Sequence, residues 1–160
     1  MAYTRSQLFG GAGGAEFKDD LTEVAALTSV VVRHADIVGS IRCTWLTTDG
    51  STREGEWHGG PGGAIDSFSL DDGEFLTEVA GTHSSWVTQL HFTTNRGRRF
   101  GPYGKSLWPG KQHEFKIAPK GQAIGGFIGR SASVLDSLGV YTTDRQEITP
   151  VRHLRQGRRM

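Results

Sequence analysis

The acidic and histidine residues of this 160-residue chain do not fall into the spacings that catalysis requires. Asp71, Asp72 and Glu74 share one turn, and neighbouring acids of this kind do not bracket a glycosidic bond. The six histidines follow no HExxH or other metal-ligand spacing. The chain also contains neither a Gly-x-Ser-x-Gly elbow nor a phosphate-binding loop. These residues predict a protein that is not an enzyme and that uses no metal or cofactor.

Asp136 has the residue type that best suits a binding site. A carboxylate only accepts hydrogen bonds, and its bonds to neutral hydroxyls are roughly twice as strong as those between neutral groups. It therefore suits a ligand that is rich in O–H donors. An aspartate can also cap its own turn. Residue type alone leaves both roles open, and in either role we expect Asp136 to lie on an exposed loop.

Composition and charge indicate a soluble globular protein. Apolar residues make up 36% of the chain, charged residues 22%, and the formal net charge is +1, which gives no electrostatic attraction to nucleic acid or anionic lipid. The single cysteine, Cys43, excludes an internal disulfide, and we expect it to be a small buried side chain. The first residues lack the apolar core of a signal peptide, and no apolar run approaches the ~20 residues of a membrane span. We therefore expect a cytoplasmic protein without membrane insertion.

The glycine content and the strand patterns predict an all-β fold. The chain has 23 glycines, about twice the ~7% of average proteins, and they occur in clusters that suit tight turns. Short β-branched or aromatic segments bounded by turn residues predict strands at 30–32, 41–45, 68–70, 86–92, 115–117 and 138–141.

Two sequence elements repeat three times in the same order. The glycine cluster of residues 10–14 recurs at 59–63, and a third glycine-rich turn is predicted at 101–104. Residues 131–138 align with 34–41 and with 83–90, which places Gly39 and Thr88 at the position of Asp136. Each unit has room for about four strands of ordinary length. Since one such sheet cannot bury a face alone, we expect three sheets that face inward around a pseudo-threefold axis.

The sequence also predicts a domain boundary near residue 144. The repeats run from the glycine cluster at residue 10 to the turn at 142–144, and we expect residues 1–144 to form one domain. Residues 145–160 are basic and have little apolar content, so a solvated, partly mobile tail is expected. The alternative is a polybasic contact with an acidic partner or anionic lipid.

The repeated segments resemble the jacalin-related lectins. The resemblance is carried, in order, by residues 10–20, 58–63, 90–104 and 124–141, and it extends over residues 8–143. It implies a β-prism I fold of three four-stranded antiparallel Greek-key sheets. It also implies reversible, non-catalytic binding of mannose- or glucose-type sugars, with glycans or glycoproteins as partners. A homo-oligomer is left open.

The resemblance implies a set of sugar-binding residues. The Asp136 carboxylate would accept hydrogen bonds from two sugar hydroxyls, and the backbone N–H groups of Ser133, Val134 and Gly14 would donate to sugar oxygens. Ser85 and Trp86 would flank the site from a neighbouring loop. Trp86 also fits an inward-facing strand position, and both interpretations are kept.

Two departures from the family pattern affect the expected function. Gly39 and Thr88 cannot supply a carboxylate, which predicts one site per chain. Ala132 stands where the family has glycine; if that position needs a positive φ, alanine would displace the loop and weaken binding. The alternative function is therefore a β-prism that has lost sugar binding and serves as a protein-interaction scaffold.

Overall fold

The computed structural model describes residues 2–106 and 112–145, and in this part of the chain every regular element is a β-strand. Most of the predicted basic tail lies outside the described residues. Within them, no helix is long and apolar enough to cross a membrane. The strands are β1 (Thr4–Arg5), β2 (Phe9–Gly10), β3 (Ala15–Lys18), β4 (Val24–His34), β5 (Val38–Thr47), β6 (Thr52–Glu54), β7 (His58–Gly59), β8 (Ala64–Ser69), β9 (Leu76–His83), β10 (Val87–Thr94), β11 (Arg99–Gly104), β12 (His113–Ile117), β13 (Gln122–Ser131) and β14 (Leu135–Asp144).

The strands form three antiparallel units, each built around a long hairpin. The middle unit is the hairpin β4–β5 with β6, β7 and β8. The late unit is the hairpin β9–β10 with β11 and β12. The terminal unit pairs the hairpin β13–β14 with β1, β2 and β3, so the two ends of the chain share one sheet. The predicted all-β prism is confirmed.

The hydrogen-bonded sheets differ in two respects from three separate four-stranded sheets: the middle and terminal units each contain five strands, and two of the units are joined. One pair, Ile124 opposite Leu76, links β13 of the terminal unit to β9 of the late unit. These two units therefore form a continuous nine-stranded sheet, and the middle unit forms a five-stranded sheet.

The core lies where the inner faces of the three units meet. Alternation along each strand places one set of side chains inward, as for Cys43, Trp45 and Phe92, all of which are buried. The Trp45 indole N–H donates to the Gly125 carbonyl (2.8 Å), which ties the middle unit to the terminal unit. Phe92 packs edge-on against Phe127 at 6.1 Å between ring centroids. Burial raises the pKa of the Cys43 thiol, as fits the predicted role of a small buried side chain.

The third glycine-rich turn was placed incorrectly by sequence alignment. Residues 101–104 lie inside β11, where they pair with β10. Strand register places Gly104 opposite Gln89, as Gly10 lies opposite Ser137 and Gly59 opposite Ser40. Gly104, with φ +84°, is therefore the structural counterpart of Gly10 and Gly59.

The acidic turn before β9, residues 71–74, is bonded to the turn between β10 and β11 of the late unit. The buried Glu74 carboxylate accepts two hydrogen bonds from the Arg98 guanidinium (2.6 and 2.8 Å) and one from the Thr94 hydroxyl (2.8 Å). It also accepts one from the Asp71 N–H (2.9 Å). Hydrogen bonding to Arg98 is the main reason that the pKa of Glu74 falls to about 2. This acid cluster thus has a structural role.

We predict that Glu74→Gln destabilises the fold at neutral pH. Because the folded-state pKa is depressed, the ionised carboxylate stabilises the fold above its unfolded pKa of about 4.3, and this contribution is lost as the pH falls toward about 2. The expected loss near pH 7 is on the order of 2–3 kcal/mol. Urea denaturation at several pH values measures it. A loss that does not shrink in acid would contradict this electrostatic origin.

Candidate functional site

A β-bulge in the hairpin β13–β14 sets the position of Asp136. Arg130 lies opposite Ser137 and Ser131 lies opposite Leu135, so Asp136 is an extra residue between two paired positions. A bulge of this kind bends the strand and re-aims the extra side chain. The hairpin therefore presents Asp136 at its end, next to the loop that joins β13 to β14.

The other two hairpins have bulges at the corresponding position. In the middle unit Gly39 is the extra residue, and in the late unit it is Thr88. The structure thus gives the same equivalence as the repeat alignment. The Thr88 hydroxyl is already engaged, because it donates to the Gln112 side chain (2.9 Å) and bonds the Thr82 hydroxyl (2.7 Å).

Asp136 is buried, and the expectation that it lies on an exposed loop was wrong. Only 6% of the residue is accessible to solvent, because the bulge turns its side chain against the loop between β2 and β3. A Cβ built on Gly13 would lie 2.9 Å from Asp136 Oδ1, and one built on Gly14 would lie 2.6 Å from Oδ2. Gly14 also has φ +71°. Glycine is needed at position 14 both for this backbone conformation and for space.

The Asp136 carboxylate is only partly compensated by its surroundings. Its Oδ2 atom is buried and has no hydrogen-bond partner in the part of the chain that the structure describes. Burial raises the pKa of the carboxyl group above its usual value, while the Arg130 guanidinium acts in the opposite direction. A buried carboxylate oxygen without a partner is uncommon in folded proteins, which makes Asp136 the candidate for a ligand that brings its own O–H donors.

The loop between β13 and β14 accommodates Ala132 without strain. Among the described residues, Glu23 is the one non-glycine residue with a positive φ, so the condition under which Ala132 would displace the loop is not met. The Ala132 N–H donates to the Val134 carbonyl (3.1 Å). Equivalent bonds, Ala35 to Ile37 (3.0 Å) and Ser84 to Trp86 (2.9 Å), close the other two hairpin loops. All three loops therefore have the same closing hydrogen bond.

Ser85 and Trp86, the predicted flanking residues, lie beside the loop of residues 11–14 between β2 and β3, called here the glycine loop. A Cβ on Gly11 would meet the Ser85 carbonyl oxygen, so the loop of the late unit contacts the loop that faces Asp136. Ser85 is exposed and Trp86 is half-buried. The strand begins at Val87, which takes the buried position, so the inward strand position suggested for Trp86 was wrong.

The structure adds Arg130 to the site, a residue that sequence analysis did not single out. Its Nε donates to the Gly13 carbonyl (3.0 Å) and its Nη2 donates to the Gly14 carbonyl (2.7 Å). Its Nη1 lies 3.8 Å from the Glu16 carboxylate. The sequence carried no signal for this role, because a guanidinium bound to two backbone carbonyls leaves no motif.

Three cavities elsewhere in the described part of the chain are not lined by the predicted site residues. One of about 260 Å³ is lined by Asp19, His58, Trp45 and neighbouring residues. Both Asp19 oxygens are engaged there, one with His58 Nε2 (2.7 Å) and one with the Phe127 N–H (2.8 Å). This buried pair joins the terminal and middle units, and it leaves no free carboxylate oxygen.

Comparison with known proteins identifies the family. Residues 6–141 match the Jacalin-like lectin domain. The chain belongs to this family. Horcolin from Hordeum vulgare is 32% identical over 143 residues, which cover 84% of this chain and 93% of horcolin. Jacalin-related lectin 36 from Arabidopsis thaliana is 34% identical over 118 residues, and the match spans 70% of this chain but 24% of that protein.

Solved structures of jacalin-related lectins have the same fold. Malaysian banana lectin superposes with a TM-score of 0.76 at 30% identity, covering 89% of this chain and 99% of the lectin. A mannose-binding jacalin-related lectin from Ananas comosus also gives a TM-score of 0.76, at 28% identity, with coverage of 89% and 98%. The predicted family and fold are thus confirmed, and the chain is a carbohydrate-binding lectin domain of the jacalin-like type.

We predict that Asp136→Asn stabilises the fold at neutral pH by about 1 kcal/mol, because it removes an ionised group with an unpartnered buried oxygen. The folded-state pKa of this group is raised, so its ionisation costs stability as the pH rises through that pKa. Below the unfolded pKa the two proteins should converge. Urea denaturation near pH 7 and near pH 3 measures both effects. A destabilised variant at neutral pH would reveal a stabilising partner of the carboxylate.

Proposed function

We propose that this lectin domain binds mannose- or glucose-type sugars at one site per chain, formed around Asp136. The observation that carries the proposal is the buried carboxylate with an unpartnered oxygen, held against Gly13 and Gly14. The sugar class is supported by relatives of the same fold, among them the mannose-binding lectin from Ananas comosus and artocarpin in complex with mannopentose, at 28% and 25% identity.

In the proposed site one side chain supplies the hydrogen-bond acceptors and main-chain N–H groups of two loops supply the donors. The Asp136 carboxylate accepts hydrogen bonds from two sugar hydroxyls, which relieves its unpartnered state. Backbone N–H groups of Gly14, Ser133 and Val134 donate to sugar oxygens. Because these donors are main-chain groups, their side chains are free to vary.

Trp86 and Ser85 form the edge of the proposed site. Both lie on the late unit's hairpin loop, which contacts Gly11. A half-buried indole at this edge can pack against the C–H face of a sugar and exclude water from the hydrogen bonds.

We propose binding without catalysis. Glycoside hydrolysis needs two carboxyl groups on either side of the scissile bond. Glu16 of the same unit lies on β3, two strands from Asp136, where it is exposed and 3.8 Å from the Arg130 guanidinium. Glu16 therefore does not form a second carboxylate of the required kind.

The alternative, a scaffold without sugar binding, now has less support. It depended on displacement of the loop by Ala132, and that residue is not at a positive φ. Cytoplasmic location and a homo-oligomeric state remain proposals that depend on the sequence. A glycan array on the purified protein tests the choice between lectin and scaffold, since binding to mannose-type glycans supports the first and binding to none supports the second.

We predict that calorimetric titration with methyl-α-mannoside gives one site per chain with a Kd of about 1 mM, or near −4 kcal/mol. Such weak binding is expected because a small polar ligand exchanges hydrogen bonds to water for bonds to protein. Gly39 supplies no carboxylate, and the Thr88 hydroxyl is engaged by Thr82 and Gln112. Two equal sites per chain would contradict this assignment.

We predict that Asp136→Ala abolishes measurable binding while the fold is retained. The lost bonds to two hydroxyls are each worth on the order of 1.5–3 kcal/mol, which is comparable to the whole binding energy. Asp72→Ala, an exposed aspartate in another turn, is the control and should bind as the parent does. Undiminished binding by Asp136→Ala would place the site elsewhere.

A further inference from the structure

The pseudo-threefold arrangement allows the site to be compared with its counterparts within the same chain. Arg130 lies opposite Ser137 in the terminal unit, and Arg33 lies opposite Ser40 at the same place in the middle unit. The late unit has Thr82, opposite Gln89. Two of the three hairpins therefore carry an arginine at the strand position that faces a glycine loop.

The two arginines make different contacts. Arg130 donates to the carbonyls of Gly13 and Gly14, in the glycine loop that faces Asp136. Arg33 instead stacks over the Trp57 ring, with its guanidinium carbon 3.8 Å from the ring centroid. Its Nε has no hydrogen-bond partner among the described residues.

Two neighbouring positions differ between the units in a way that fits these contacts. Strand register places Trp57 in the middle unit where the terminal unit has Leu8, because Gly59 and Gly10 are counterparts. It also places Ile65 opposite Arg33, where Glu16 lies opposite Arg130. An indole face attracts the Arg33 guanidinium. Ile65 offers it no carboxylate, whereas the Glu16 carboxylate lies 3.8 Å from Arg130 Nη1.

Peptide geometry connects the Arg130 contact to ligand binding. In a trans peptide the C=O of one residue and the N–H of the next point in opposite directions in one plane. By holding the Gly13 carbonyl on its own side, Arg130 turns the Gly14 N–H to the other side. That N–H is one of the donors in the proposed sugar site.

We propose that Arg130 is a positioning residue for sugar binding, which orients the glycine loop through the Gly13 and Gly14 carbonyls and keeps a positive charge near Asp136. The inference rests on the proposed function above. It follows that an aspartate in the bulge is not sufficient for a site. The middle unit lacks both the aspartate, replaced by Gly39, and the arginine contact to its loop.

The variants Arg130→Lys and Arg130→Gln distinguish the contact with the two carbonyls from the positive charge of Arg130, because both lose the contact and only Arg130→Gln loses the charge. Lysine keeps the positive charge but cannot bridge two carbonyls as a planar guanidinium does. We expect affinity for methyl-α-mannoside to fall at least tenfold in both variants, measured by titration at neutral pH. Arg5→Gln, an exposed arginine on β1 of the same unit, is the control and should bind as the parent does. Unchanged affinity in a folded Arg130→Gln protein would overturn the proposal.

The pH profile of binding gives a readout that a purely structural role would not change. Arg130 is the charged group that opposes the raised pKa of Asp136, and Glu16 on β3 is the acid in contact with Arg130. Residues 11–14, which form the loop that faces Asp136, carry no titratable side chain. In Arg130→Gln, binding should therefore be lost at a higher pH than in the parent, while Arg130→Lys should keep the parent midpoint. Identical midpoints in all three proteins would overturn the charge part of the proposal.

The role of Arg130 can also be tested by building a second sugar site in the middle unit. Gly39→Asp alone should leave one site, because Arg33 stays on Trp57. Adding Trp57→Leu and Ile65→Glu reproduces the terminal unit, and a second site should appear. The Gly62 carbonyl, 3.0 Å from a Cβ at position 39, must shift by a few tenths of an ångström in both proteins. A second site in Gly39→Asp alone, or no second site in the folded triple variant, would overturn the proposal.

Failure of this inference is distinguishable from failure of the proposed function. If the parent protein does not bind methyl-α-mannoside, or if Asp136→Ala binds it equally well, the proposed function itself is wrong. If the parent binds, Asp136→Ala does not, and Arg130→Gln binds as the parent does, only the role of Arg130 is wrong.

Discussion

The contact between the Asp136 carboxylate and the Gly13–Gly14 loop is the interaction on which the proposed site depends. It exists because a β-bulge places one extra residue at the end of the hairpin β13–β14 and turns that side chain inward. The glycine loop can approach so closely because a side chain at position 13 or 14 would collide with the carboxylate. The result is a buried acceptor with one unpartnered oxygen, which burial makes costly to ionise. A ligand with several hydroxyl groups can supply the missing donors.

The three-unit architecture supplies the frame for this contact, and the side chain at the bulge differs between the three copies. Each hairpin has a bulge at the same place, and each loop that closes a hairpin touches a neighbouring unit: Gly11 contacts Ser85, Gly60 contacts Ser133, and Lys105 donates to Asp36. Side chains at the bulge nevertheless differ: a carboxylate in one unit, a hydrogen in the second and an engaged hydroxyl in the third. The fold is therefore symmetric while the binding chemistry is not.

Much of the fold and part of the site could be predicted from the sequence, because repetition and alternation are periodic signals. Gly14 and Asp136 were identified through the resemblance to the jacalin-related lectins, and the register of the repeats gave Gly39 and Thr88 as the counterparts of Asp136. Other features required coordinates. The burial of Asp136 depends on a bulge that no residue type specifies, and the placement of Gly104 depends on strand register. Arg130 and Arg33 have the same residue type, and only the coordinates show that Arg130 contacts the glycine loop while Arg33 stacks on Trp57.

The most direct test of this account is a crystal structure of the protein with methyl-α-mannoside bound. The account predicts one sugar per chain, with two of its hydroxyls within hydrogen-bond distance of the Asp136 carboxylate and a third oxygen facing the Gly14 N–H. Both Asp136 oxygens should then have partners. A sugar seated at the loop of residues 59–63, or one bound in the cavity lined by Asp19 and His58, would contradict the central claim. So would a complex in which the Asp136 carboxylate remains unpartnered.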